Sequence, residues 1–112
     1  MPVHPAPLLP QATPDAMEHR NSTVITYPAT VAAPANPLLE SAAHEFFHAW
    51  NVERIRPQSL EPFDFERANM SGELWLAEGF TQYYGTLILA RAGLSTPEQA
   101  MRSLANSASA LV

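Results

Sequence analysis

The sequence predicts an α+β fold that is mainly helical, and three observations carry this. Apolar residues recur at helical spacing over residues 37–51 and again over 74–92. A run rich in β-branched residues over 22–27 ends at Pro28 and reads as a strand. Thr96-Pro97-Glu98-Gln99 is a capping box with proline at the first helical position, which opens a third helix. The order is therefore strand, helix, long loop, helix, helix, with no internal repeat.

Composition narrows the class. A chain of 112 residues has room for one small domain or part of a larger one. The hydrophobic share of 46% can build a core, although much of it is alanine, which buries little area. With a net charge of −5 and no lysine, a nucleic-acid partner is not expected. No cysteine means no disulfide and no thiolate metal site, so any metal must be held by histidine and carboxylate. No apolar run approaches a membrane span, and the N-terminus lacks a basic start followed by an apolar segment.

Taken in order, residues 1–14 are rich in proline and alanine without periodicity and read as an arm, with His4 incidental to it. The 22–27 strand is preceded by a polar stretch, Glu18 to Ser22, which suits an exposed edge whose backbone can hold an extended peptide. Glu18 is either a solvated edge charge or a carboxylate that holds a substrate's terminal amine. A second proline-rich connection follows, and Asn36 is placed to cap a helix with Pro37 in its first turn. Leu38, Leu39, Ala42, Ala43, Phe46, Phe47 and Trp50 form that helix's apolar face.

Residues 52–73 contain Pro57, Pro62 and Ser71-Gly72, and predict an irregular loop laced by ion pairs among its arginines and acids. Arg54 and Arg56 are weaker candidates for a substrate carboxylate, because surface arginines usually pair or solvate. The next helix runs over 74–92 with a broad apolar surface, and Gly93 is placed to end it.

The chemistry lies in His44-Glu45-Phe46-Phe47-His48. Two histidines four apart share one helix face, so both imidazoles can ligate one metal ion. Glu45 is rotated by about 100° from His44, beside a metal-activated water rather than on the metal. Zinc lowers the pKa of such a water, and the carboxylate can take its proton and pass it to a leaving amine. A catalytic zinc takes three protein ligands, and Glu78, in Leu76-Ala77-Glu78-Gly79-Phe80, is the candidate third. A charge amid apolar residues is costly unless it is paired or metal-bound. Glu73 reads instead as an exposed acid. Asn51 and Gln82 are candidates to accept the second N–H of the two imidazoles. Tyr83 and Tyr84 are expected to pack or to orient ligands.

HEFFHAWN, ERIRP, PFDFERANM and LWLAEGFTQYYGTLILARAGL together resemble the catalytic core of the glycyl aminopeptidase family of zinc metallopeptidases. The resemblance spans about Met17 to Leu104. It implies a gluzincin, thermolysin-like catalytic domain, here as a fragment with an edge strand, the HExxH helix, a long loop, the helix of the glutamate ligand and a third helix. It implies Zn2+ on His44, His48 and Glu78, with Glu45 as general base and acid, and a peptide as substrate. Met17-Glu18-His19-Arg20-Asn21 is similar to the family's segment before the edge strand, with Glu18 holding the substrate's amino terminus. Asp15-Ala16 stand where the family usually has glycine. Relative to the family the sequence lacks a β-rich N-terminal part, a PDZ domain, and an oxyanion-stabilising tyrosine or histidine after Tyr84. Residues 15–112 are thus expected to be part of a catalytic domain on which flanking domains pack. The competing readings are a truncated, non-catalytic zinc-binding fragment and a helical packing domain without metal.

Overall fold

The strand predicted from the β-branched run is one arm of a hairpin. In the computed structural model, which describes residues 14–28 and 36–110, strand β1 (Asp15–His19) pairs antiparallel with β2 (Ser22–Thr26). The register runs from Asp15 opposite Thr26 to His19 opposite Ser22, leaving Arg20 and Asn21 as a two-residue turn. The sequence predicts only β2. Glu18 to Ser22 is polar because it forms the end of a hairpin, and no glycine marks the turn. The predicted arm over 1–14, apart from Pro14, and the connection over 29–35 lie outside the described residues.

Three helices follow. Helix α1 (Asn36–Phe47) begins one residue before the expected start and ends four before the expected Asn51. Its last turn tightens, with Ala49 N–H bonding Phe46 at 3.2 Å and Trp50 N–H bonding Phe47 at 3.0 Å. Val52 then takes a φ of 116°, rare for a β-branched residue, and its neighbours form an isolated bridge between Asn51 and Ile55. The loop is irregular as expected, with one short 3-10 turn at Gln58–Leu60 and ion pairs from Arg56 to Glu61 and from Arg67 to Asp64.

Helix α2 (Leu74–Arg91) ends as predicted at Gly93, whose φ of 71° is the left-handed value a non-glycine residue resists. Leu94 N–H reaches back to Leu89 O at 2.9 Å and Gly93 N–H to Ala90 O at 3.1 Å, which completes a Schellman cap. Helix α3 (Pro97–Ser109) opens with the predicted capping box, Thr96 and Gln99 each bonding the other's main chain.

Helix α2 lies in the middle, between α1 and α3, and the hairpin lies along α1. Among the described residues the buried apolar side chains are Leu60, Ala77 and Leu89. Glu45, His48, Thr81 and Thr86 are also buried, so among the described residues the interior is about as polar as it is apolar. Gly85 marks the α1–α2 crossing, where a β-carbon would lie 3.2 Å from the main-chain nitrogen of His44. The missing side chain lets the two helices approach closely at the histidine.

Candidate metal centre

The main chain after α1 positions the second histidine. His48 is the first residue beyond the helix, but its N–H still bonds His44 O. The carbonyls that a helix end leaves without partners are met here by the loop. Glu53 N–H takes His48 O, Arg54 and Ile55 N–H take Trp50 O, and the Arg54 guanidinium takes Ala49 O at 2.9 Å. This folding-back aims the main-chain carbonyl of Asn51 at His48 Nδ1, 2.8 Å away. The Asn51 side chain meanwhile donates to the carbonyls of Leu76 and Ala77 and to Thr81 Oγ1 on α2.

Helix α2 contributes three polar groups, Thr81 and Gln82 side by side and Glu78 one turn before them. Gln82 Oε1 lies 3.1 Å from His44 Nδ1. Thr81 is fully buried, gives its proton to Ala77 O and lies 3.4 Å from His48 Nδ1. Glu78 Oε2 lies 3.1 Å from His44 Nε2 and 3.6 Å from His48 Nε2. Its side chain is 57% exposed, so the expected desolvation does not apply to it. Geometry singles it out instead, since α2 carries it past the apolar surface to the histidines.

The tautomers follow from these partners. A carbonyl or amide oxygen only accepts, so each Nδ1 carries a proton, and in the neutral imidazole Nε2 is the atom left with a lone pair. The two Nε2 atoms are 3.1 Å apart and both face a carboxylate oxygen. In the neutral form of both rings, two imidazole nitrogens and a carboxylate oxygen converge as lone-pair donors, a set that suits a shared cation. Tetrahedral zinc with bonds of about 2.0–2.1 Å sets its ligand atoms about 3.3 Å apart. The separations of 3.1, 3.1 and 3.6 Å match that edge, so His44, His48 and Glu78 fit a zinc-sized ion.

Glu45 is buried beside this set. Burial pushes its carboxyl above the ordinary value, His44 and His48 pull it back, and the acids Glu18 and Glu78 push it up again. Strand β1 brings Glu18, half-buried, over the end of α1, where Glu18, Glu45 and His48 have ligand atoms within 4.8 Å of one another. The hairpin therefore brings the predicted edge carboxylate to the same centre.

The remaining predicted residues lie apart from it. Glu73 is exposed and accepts from Ser59 and Ser71. Arg54 and Arg56 are engaged with carbonyls, and Arg56 also with Glu61. Tyr84 stacks on Phe47 with centroids 5.1 Å apart, and Tyr83 packs edge-on against Tyr84. Sequence reasoning missed Thr81, whose only signal is a hydroxyl between Glu78 and Gln82. For Asn51 it named the residue but not the group, since the main-chain carbonyl, not the amide, meets the imidazole.

No curated protein and no solved structure matches the chain. The family model described as M61 glycyl aminopeptidase matches residues 37–112, from the start of the HExxH helix through α3, and leaves the hairpin outside the matched span. That match takes in both helices that meet at the histidines, and the chain belongs to this family of peptidases.

Proposed function

We propose that the protein is a zinc-dependent aminopeptidase whose helices follow the gluzincin plan, with HExxH on α1 and the glutamate ligand on α2. His44, His48 and Glu78 would hold the ion. When bound, zinc supplies a Lewis acid that polarises a carbonyl and makes water more acidic. The observation that carries this reading is the meeting of three acceptor atoms at tetrahedral-edge spacing, each imidazole fixed by an acceptor on its far nitrogen.

The chain's own groups then divide the work. Glu45 takes a proton from water as the oxygen attacks the scissile carbonyl. It returns that proton to the amine as the carbon–nitrogen bond breaks. Glu18, a carboxylate at the same centre, binds the ammonium of the substrate's first residue and so limits cleavage to chain ends. Gln82 and the Asn51 carbonyl keep each imidazole proton on Nδ1, and Thr81 buttresses His48.

Glu45→Gln tests the assignment. The amide keeps the shape and loses the proton acceptor, so zinc content stays near one ion per chain while glycyl- and alanyl-amide hydrolysis falls by about 10²–10⁴-fold. Hydrolysis within a few-fold of wild type would remove Glu45 as the base. Zinc at one ion per chain with no chelator-sensitive hydrolysis in the unmodified protein would favour a non-catalytic zinc-binding role.

A further inference from the structure

The hairpin lies along α1 with its turn near Ala49 and its open end, Pro14 and Tyr27, near Glu40 and Ser41. A peptide whose ammonium is held at Glu18 and whose first carbonyl lies by Glu45 therefore leaves the centre towards the start of α1. A hollow of about 490 Å³ lies there, lined by Glu45 and His44 and farther on by Glu40 and Gln82. A second hollow, of about 430 Å³, shares Glu40 and Gln82 with the first and continues between α1, α2 and α3 to Arg102. The two form one groove, and its α3 wall is polar. Ser103 Oγ donates to Glu40 at 3.4 Å, and Gln99 gives its amide oxygen to the Thr96 N–H, which leaves its NH2 group to donate.

We infer that this groove holds the remainder of a short peptide, and that Arg102 at its far end binds the substrate's C-terminal carboxylate. This rests on the aminopeptidase reading above. Glu45 and Glu40 lie about 7.5 Å apart along the axis of α1, and an extended peptide advances about 3.3–3.6 Å per residue. Two residues beyond the scissile bond thus reach Glu40, and a third crosses to α3. Charge points the same way. Glu40, midway, can accept main-chain N–H groups and would repel a carboxylate, so an anionic end belongs beyond it, where the cation stands. The other arginines are placed elsewhere: Arg54, Arg56 and Arg67 are engaged in the loop, Arg20 borders the hairpin turn, and Arg91 closes α2. Arg102 is exposed, and a guanidinium grips a carboxylate through two parallel N–H bonds.

Calorimetry of the zinc-loaded Glu45→Gln chain, whose turnover is expected to be negligible, tests the assignment with tetraglycine and tetraglycine amide. The free acid should bind at least about tenfold tighter, the usual worth of a hydrogen bond to a charged group. Diglycine, too short to reach α3, should bind no better than its amide. Adding Arg102→Gln should bring the tetraglycine ratio to about one by weakening the acid alone, and Arg102→Lys should keep part of the preference. In the catalytically intact chain Arg102→Gln should raise KM for tetraglycine and leave kcat unchanged. Equal binding of acid and amide, an equal preference in diglycine, or a preference that survives Arg102→Gln would overturn the inference. So would a loss in Arg102→Gln that falls on acid and amide alike, the mark of disturbed α3 packing. None of these outcomes touches the aminopeptidase reading while the unmodified protein releases glycine from either peptide. Cleavage of neither by a chain that carries zinc would take down that reading, and the role of Arg102 with it.

Discussion

The main-chain carbonyl of Asn51 accepts the Nδ1 proton of His48 at 2.8 Å, while the side chain of the same asparagine is bonded to helix α2. One residue thereby fixes the tautomer of a proposed ligand and ties the turn that carries it to the helix that carries Glu78. Asn51→Ala would keep the carbonyl and lose the tie. Leaving the α2 groups without their donor should cost about 1–3 kcal/mol of stability in chemical denaturation. Zinc affinity should fall by about 10–100-fold, as for other changes just outside a metal's ligands. Unchanged zinc affinity with lowered stability would limit Asn51 to packing.

Glu78 and Glu73 lie on the same side of the loop in sequence, but the structure separates their roles. Glu78→Ala removes one of three converging donors and should weaken zinc by more than the about 10–100-fold of an outer substitution. Glu73→Ala breaks only bonds to Ser59 and Ser71 and should leave zinc affinity alone. Competition with a chromophoric chelator measures both, and equal losses would exclude Glu78 from the site.

Gly85 and Gly79 make a matched pair on α2. Replacing a helical glycine with alanine favours the helix by about 0.8–1.0 kcal/mol. A β-carbon at Gly79 meets nothing within 4 Å, so Gly79→Ala should raise stability by up to about that amount. At Gly85 the same β-carbon would press on the His44 main chain at 3.2–3.3 Å. Gly85→Ala should therefore gain little or no stability and should lower zinc affinity by displacing His44. A gain equal to that at Gly79, with zinc binding intact, would mean that the helix crossing yields freely.

Acid should loosen the loop before α2. The Glu66 N–H and then the Arg67 guanidinium hold Asp64 below its ordinary 3.8, and the hydroxyls of Ser71 and Ser59 hold Glu73 below 4.5. Groups with depressed pKa values contribute stability that is complete above those ordinary values and is lost as pH falls through the folded ones. Asp64→Asn combined with Glu73→Gln should thus be less stable than wild type near neutrality, with the gap closing in acid. Urea titrations of the zinc-free protein across that range would show it, and a gap that persists at low pH would refute the assignment.

Local chemistry made much of this molecule legible in the sequence. The capping box at Thr96, the glycine stop at Gly93 and the apolar spacing of α2 each act within a few residues, where backbone geometry is set by near neighbours. The four-residue spacing of His44 and His48 likewise needs only a helix to become a pair of ligands. The β1 strand was not legible, because Asp15–His19 alternates too weakly to signal a strand and gains its order from pairing with β2.

What the sequence alone determined, then, is which residue types can hold and use a cation, and which short elements carry them. Only the tertiary structure decided how they meet. Glu78 faces the imidazoles because α2 crosses α1 at Gly85, an approach controlled by a missing side chain. Its carboxylate is exposed, so the desolvation argument that pointed to it from the sequence does not describe its surroundings. The proton positions on both histidines are set by an amide on another helix and by a carbonyl from a turned-back chain. Each is a contact between groups whose separation depends on the packing of whole elements, and no local propensity encodes that distance.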